Sequence, residues 1–361
     1  MNPGLVVKLR PPGPWRSGPD SGARNRIDPV YHSDSLYSAV TGALRVLGHM
    51  DDWLDATARN PQGAAVRFSS CFPFQGDIGY IIPPRSLWPP MSGAAVTSPK
   101  VRWKSARYIP LGLVEALLNG QVLDEDHWSI DGPSECLVPS GRPGPFRMST
   151  RSAAAVDRLT GAVERHATAC IEFVQGAGLW TLVSFADDEQ FERWNGPVRA
   201  AFRLLADSGF GGERGRGWGR SEAPEFIDGT LPDMILPPRV KPEPEPSAEA
   251  ESESAPVEAV PEPAAAQDHH WLLSLFAPAG EDSIDWTKGA YSVVARGGRI
   301  DSPVRQGDLK KQLNMISEGS VLIAATAPLG SSPDVAPDGF PHPVYRAGFA
   351  LSIPLPPQVT L

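Results

Sequence analysis

The apolar run GLVVKLR (residues 4–10) reads as a first strand, and a loop rich in glycine and proline follows it. In SDSLYSAVTGALRVLG (residues 33–48), Leu36, Ala39, Val40, Ala43, Leu44 and Leu47 recur at helical spacing. Ser33 or Asp34 is placed to cap that helix and Gly48 to stop it. A second helix is predicted at LGLVEALLNG (residues 111–120), where Leu111, Val114, Leu117 and Leu118 share a face and Gly120 ends it. TACIEFVQGAGLWTLVSF (residues 168–185) predicts two strands joined by a glycine-containing turn, a hairpin. GPVRAAFRLLADSG (residues 196–209) puts Pro197 in a first helical turn, with Val198, Ala201, Phe202 and Leu205 on one face and a close near Gly209. A short strand around residues 223–227 completes the series.

The order is strand, helix, two strands, helix, strand, which is the ferredoxin-like unit shared with RNA-recognition domains. Residues 60–150 exceed the minimal unit and are read as insertions. Toward the C-terminus, WLLSLF, YSVVARG, SVLIAATA and RAGFALSIPL are strand-like and DLKKQLNMISEG (residues 308–319) predicts a helix, so this part reads as a second, smaller and more open copy. Between the two lies KPEPEPSAEAESESAPVEAVPEPAAA (residues 241–266). It holds seven glutamates, one lysine and no aromatic residue, and predicts a solvated, extended, disordered linker. The expected fold class is therefore α+β: two ferredoxin-like (RRM-like) domains with antiparallel sheets, residues 1–240 and 268–361. The first carries large insertions, and an acidic Pro/Glu/Ala linker at 241–267 joins them.

The net charge of −9 argues at first sight against a polyanion partner, but the linker accounts for most of it, and local patches govern RNA binding more than the total does. Cys71, Cys136 and Cys170 are scattered and odd in number, with no CxxC pair, which implies neither a disulfide framework nor a zinc site and points to a reducing cytoplasm. The start MNPGLVVKLR is too quickly interrupted for a signal peptide, and no apolar run approaches a membrane span.

One stretch carries candidate chemistry: SGFGGERGRGWGRSEAPEF (residues 208–226), with glycines at Gly209, Gly211, Gly212, Gly215, Gly217 and Gly219, arginines at Arg214, Arg216 and Arg220, and one indole, Trp218. Glycine permits positive φ and close approach to bare backbone N–H groups. Arginine supplies a donor fork matched to phosphate and a face that stacks on bases. Its spacing excludes a Rossmann or Walker phosphate loop. The expectation is phosphate contact through the amides of Gly211, Gly212 and Gly217 and the guanidinium groups of Arg214, Arg216 and Arg220; Trp218 either stacks on a base or packs under the sheet. In KVRWKSAR, Lys100, Arg102 and Lys104 occupy alternate positions, hence one face if extended, with Arg107 just beyond. Arg24, Arg26, Arg296 and Arg299 are weaker cations of the same kind. His269, His270 and His342 show no metal-ligand spacing, and HMDD (residues 49–52) lacks a companion nuclease motif, so no metal and no cofactor is expected.

Gly209-Phe210-Gly211, five variable residues, then Gly217-Trp218-Gly219 resembles the glycine-rich signature of the CRISPR-associated RAMP superfamily, which lies between the second helix and last strand of a ferredoxin-like domain. HSDSLYSAV (residues 32–40), LLADSGFGGERGRGWGR (204–220), YSVVARGGRIDSP (291–303), EGSVL (318–322) and HPVYRAGFALSIP (342–354) are similar, in order, to segments of the guide-RNA 5′-tag-binding subunit of type III-A CRISPR (Csm) effector complexes. The resemblance implies a non-catalytic, RNA-binding subunit that grips the 5′ tag of the crRNA. Its implied partners are the large polymerase-cyclase subunit and the backbone RAMP subunit, with no membrane involved. It also implies RNA positioning by His32 and Ser33 near the first helix, and guide or subunit contact by the inserted Lys100–Lys104 region. The alternative is a metal-independent crRNA-processing endoribonuclease, because members of the superfamily that cut RNA use a histidine near the first helix as general base; His32 is the residue at that position.

Overall fold

The computed structural model describes residues 2–19, 22–90, 101–237, 268–302 and 304–356. The N-terminal region contains, in order, β1 (Asn2–Leu9), α1 (Ser33–Val46), α2 (Met50–Ala56), β2 (Val66–Phe68), β3 (Phe72–Gln75), β4 (Ile78–Ile81), β5 (Ile109–Pro110), α3 (Leu111–Leu118), β6 (Trp128–Asp131), β7 (Cys136–Pro139), β8 (Phe146–Val156), β9 (Val163–Phe173), β10 (Ala177–Phe185), α4 (Asp188–Ser208) and β11 (Glu225–Leu231). Its main sheet runs β11-β1-β10-β3-β4-β5, antiparallel throughout, with β2 also paired to β10.

β10 is buried along its whole length because both faces of the sheet are covered. Period-two alternation divides its side chains between two cores. Leu179, Val183 and Phe185 join Leu5, Val7 and Leu9 of β1 against α1, α2 and α4, whose Leu36, Val40, Leu44, Trp53, Val198 and Phe202 fill that side. Trp180 and Leu182 face the opposite way, onto Phe72, Tyr80, Tyr108 and, from the C-terminal region, Trp271, Leu273, Val321 and Ile353.

Several elements differ from the sequence expectation. α1 begins at Ser33 with His32 as the capping residue and no side-chain cap, and α2, whose buried Trp53 and Leu54 hold it, was not anticipated. α4 starts at Asp188 rather than at Pro197. The Asp187 carboxylate caps it by accepting from the Gln190 amide at 2.8 Å, and Phe191 and Trp194 bury its early turns against Phe185 and Trp53, which holds Pro197 inside the helix. The expected hairpin at 168–185 does not form. β9 pairs instead with β8, from Phe146↔Phe173 to Val156↔Val163, and β10 enters the centre of the main sheet. The mostly apolar β10, buried at every position, needs a site covered on both faces, whereas β8, mostly exposed, and β9, exposed at its start, suit a projecting arm that meets the first loop only near its base, where Ile171 bridges Trp15.

The C-terminal region contains β12 (Asp268–Leu272), β13 (Val293–Arg296), β14 (Arg299–Asp301), β15 (Gln306–Leu309), β16 (Leu313–Ile316), β17 (Val321–Ala324), β18 (Gly330–Ser331), β19 (Gly348–Phe349) and β20 (Ser352–Leu355). Its largest sheet runs β17-β12-β20. The helix expected at 308–319 is absent: β15 and β16 occupy that stretch, and no helix occurs among the described residues of this region. Met315 and Ile316 are drawn into small cores with Leu275 and Phe276, and β16 ladders with β13, which overrides the helical spacing.

The expected linker at 241–267 lies outside the described residues. The parts on either side of it share one core and backbone hydrogen bonds, Ser70 N to Leu273 O and Arg85 N to Gly319 O, both 2.9 Å. Cutting the chain at a protease site engineered within 241–266 is therefore expected to leave both fragments co-eluting on size exclusion in native buffer. Separation without denaturant would refute this.

Candidate nucleic-acid interface

The glycine-rich stretch leaves α4 through Gly209 at φ 79° and returns to β11 through Gly217 and Gly219, at φ 77° and 79°. Its two limbs are joined where Phe210 N donates to Gly219 O at 3.2 Å. A Cβ on Gly209 would stand 2.5 Å from Trp218 O, and one on Gly219 would collide with Phe210 O. Gly211 is held as closely on its other side: a Cβ there would lie 2.5 Å from Arg16 O. These three glycines are thus required by internal packing of backbone on backbone. Phe210 is the anchor, buried edge-on against Trp15 at 5.9 Å and Tyr31 at 5.2 Å.

Internal bonding changes the expected phosphate contacts. The amide of Gly212 donates to Arg16 O at 2.8 Å and that of Gly217 to Arg214 O at 2.9 Å, so both are spent inside the protein. Trp218 is 9% exposed and packs inward, which removes it as a stacking platform. What the loop offers to solvent is its tip, a 3₁₀ turn at Arg214–Arg216, together with Arg220. Arg214 pairs with Asp301 at 3.2 Å, and Arg216 with Glu213 at 3.3 Å and the His166 ring of β9 at 3.0 Å. Arg220 has no ion pair among the described residues.

Sequence reasoning missed Arg16. Its guanidinium is buried and donates to the carbonyls of Ala23 at 2.8 Å, Arg24 at 3.1 Å and Ala169 at 2.6 Å, and burial lowers its pKa below the usual arginine value. Through these bonds it ties exposed Arg24 to β9 and, through its own carbonyl, to the glycine loop. The only sequence signal was its place beside Trp15 in the first loop. Arg16 thus ties the first loop, β9 and the glycine loop together.

His32, Ser33 and Asp34 weld α1 to the C-terminal region. The His32 ring bonds Glu318 through Nδ1 at 2.7 Å and Asp28 through Nε2 at 3.2 Å. The Ser33 hydroxyl accepts from the Leu275 amide at 3.0 Å, and the Ser33 amide donates to Ser70 Oγ at 2.8 Å. Ser70 in turn donates to Glu318. Asp34 accepts from Arg296 Nε at 3.2 Å and Nη2 at 3.0 Å, and from Arg346. Burial opposes the charge on His32, but Glu318 and Asp28 outweigh it and push the pKa up to about 10. Burial likewise opposes the Asp34 charge, and Arg296 and Arg346 hold the carboxyl well below its usual range. An imidazolium clasped by two carboxylates at neutral pH has no lone pair to accept a proton, so the geometry speaks against His32 as a general base. Arg296, a weaker RNA candidate, is a buried partner of Asp34, whereas Arg299 is exposed and donates to Gly307 O at 2.7 Å.

Lys100 lies outside the described residues. Arg102 and Lys104 do not form the extended face expected of them: residues Trp103–Ser105 make a 3₁₀ turn that buries Trp103 edge-on to Trp88 at 5.8 Å and leaves both cations exposed. Among the described residues no three His, Cys, Asp or Glu side chains gather as a metal site, and no helix is long and apolar enough to cross a membrane.

Comparison with known proteins places these features. Residues 265–355 match the CRISPR Csm4 C-terminal domain family. A chain of the crystal structure of the Csm3-Csm4 subcomplex in the type III-A CRISPR-Cas interference complex is 17% identical, with 98% of this chain and 100% of that one covered and a TM-score of 0.60. Chains from crystal structures of the Csm1-Csm4 cassette, in complex with pppApA and with cA4, are 19% and 18% identical, each covering 98% of both chains with a TM-score of 0.54. No curated protein matches the sequence. The C-terminal region is thus Csm4-like in sequence and the chain Csm4-like in fold, a mixed α and β structure with antiparallel sheets, which agrees with the resemblance to a RAMP subunit of the type III-A Csm complex.

Proposed function

We propose that this chain is the non-catalytic subunit of a type III-A CRISPR interference complex that holds the 5′ tag of the crRNA. It would join the large polymerase-cyclase subunit to the backbone RAMP subunit, in the cytoplasm. The observation that carries the reading is the tightly folded glycine loop, whose packed backbone carries exposed Arg214 and Arg216 at its tip and exposed Arg220 on its returning limb. Single-stranded RNA would lie along this surface with its phosphates on the arginines. The Csm4-containing structures that share the fold include assemblies with Csm1 and with Csm3, which supports the two protein partners. A ferredoxin-like organisation of residues 1–240 and 268–361 about the 241–267 linker belongs to the same proposal. It is supported in the first part by the antiparallel strand order β11-β1-β10-β3 with α1 and α4 as the connecting helices.

The test is co-purification with affinity-tagged neighbouring subunits and sequencing of the retained RNA. Tag-bearing crRNA is expected; assembly without RNA would reduce the chain to a scaffold. His32→Ala is expected to leave any ribonuclease activity of the assembled complex unchanged, because the ring serves the seam between the two regions. Labelled repeat RNA incubated without metal checks this: lost cleavage at undiminished RNA occupancy would instead favour the processing-enzyme reading.

A further inference from the structure

A cleft of about 860 Å³ opens where the connection between β4 and β5 meets the C-terminal region, within the range of ligand sites. Its lining is drawn from the segments around His32, Arg85, Lys104, Glu135, Val293 and Glu318. Most of its charges are already matched. Arg107 pairs with Glu135, and His32 sits between Asp28 and Glu318. Arg85 and Lys104 remain: both are exposed and neither has an ion pair among the described residues. The wall also includes the half-buried indole of Trp88, fixed by its Nε1 donating to Trp103 O at 3.1 Å. Two spare cations beside a held aromatic ring form a pair of contacts suited to a phosphate and its base.

Contacts through the fold link the cleft to the arginine loop. Phe210 of the loop packs on Tyr31, the residue before cleft-lining His32, and Arg214 reaches Asp301 of the same C-terminal region that closes the cleft. From these observations we infer that the cleft is a nucleotide pocket, taking one unit of a single-stranded RNA with its base against Trp88 and its phosphate between Arg85 and Lys104. The inference rests on the RNA-binding reading above and extends it to a second subsite across the seam.

The test uses the full-length chain and a short fluorescein-labelled single-stranded RNA titrated across a salt series. Arg85→Ala with Lys104→Ala should flatten the log–log salt slope by about 1.4 units if each cation neutralises one phosphate. Trp88→Ala should weaken binding roughly tenfold at unchanged slope, as loss of one stacked base does. Because Trp88 packs on Trp103 and its removal could unsettle the fold, the exposed Arg85 and Lys104 pair decides the matter. If RNA binding is normal and depends on Arg214, Arg216 and Arg220, yet the double variant behaves as wild type, the pocket is refuted and the RNA reading stands. If the wild-type chain retains no RNA, both fall. Excess AMP should compete weakly, since a lone nucleotide lacks the loop contacts. Displacement by AMP as readily as by unlabelled strand would make a free nucleotide the occupant, and equal displacement by polyglutamate would make it an acidic peptide; either overturns the strand.

Discussion

Asp34→Ala is expected to destabilise the protein by about 3–5 kcal/mol, the cost of breaking a buried charge pair by removing one partner. The Asp34 carboxylate is the counter-charge of two buried guanidinium groups, Arg296 and Arg346, that reach it from the C-terminal region. Removing it takes away the carboxylate that the two cations share, although Arg296 keeps a longer contact to Asp28 at 3.9 Å. Asp34→Asn, which keeps the shape and loses the charge, should be nearly as damaging. The same seam sets the pH dependence. Asp34 is held below its usual range, so its contribution is present above about pH 4 and lost as pH falls. His32 is raised to about 10, so its contribution is complete below about pH 6.5, the ordinary histidine value, and lost as pH rises through about 10. Urea denaturation from acid to alkaline pH checks both limbs. His32→Gln should flatten the alkaline limb and weaken the acid limb as well, because the His32 cation also helps hold Asp28 and Asp34 below their usual range, and an Asp34→Ala variant as stable as wild type would sink the account of the seam.

Replacing Arg214, Arg216 and Arg220 together with alanine is expected to flatten the salt dependence of RNA binding by roughly 2 units, at about 0.7 for each phosphate of a single strand that is no longer neutralised. At about 0.1 M salt that slope corresponds to an affinity loss of roughly a hundredfold. The pairs of Arg214 with Asp301 and Arg216 with Glu213 do not stand in the way, because exposed ion pairs of this kind are worth little and open readily. Glycine variants should behave differently. Gly219→Val drives a side chain into Phe210 O and should unfold the loop, whereas Gly217→Val strains a residue at φ 77° that has open space around it. The latter should lose affinity through a displaced tip while keeping more of the salt slope. Binding measured by anisotropy across a salt series, with circular dichroism to confirm folding, separates the cases. Unchanged affinity and slope in the triple variant would make the arginines bystanders.

Local pattern was enough wherever one neighbour decides the outcome. The apolar stripes of α1 and α3, the end of α4 and the place of the glycine loop between that helix and the last strand were legible, because helical spacing and glycine each act over a few residues. The crowding of glycines told of an unusual backbone but not of its cause: the Cβ positions of Gly209, Gly211 and Gly219 are filled by carbonyls that only the folded chain brings there. Trp218 was undecidable between solvent and interior for the same reason. β9 and β10 are both strands by composition, yet which one crosses the centre of the sheet depends on two covering layers, one supplied by residues beyond 267.

The sharpest division falls at His32-Ser33-Asp34. By itself the sequence determined that a helix starts there with polar residues at its head, and a histidine at such a place reads equally as base, RNA contact or cap. Tertiary structure alone decided among them, because the partners Leu275, Arg296, Glu318 and Arg346 stand 242 to 312 residues away in the chain. Charge and hydrogen-bond capacity are written in the residue, but what they are spent on is set by whichever group the fold brings within about 3 Å.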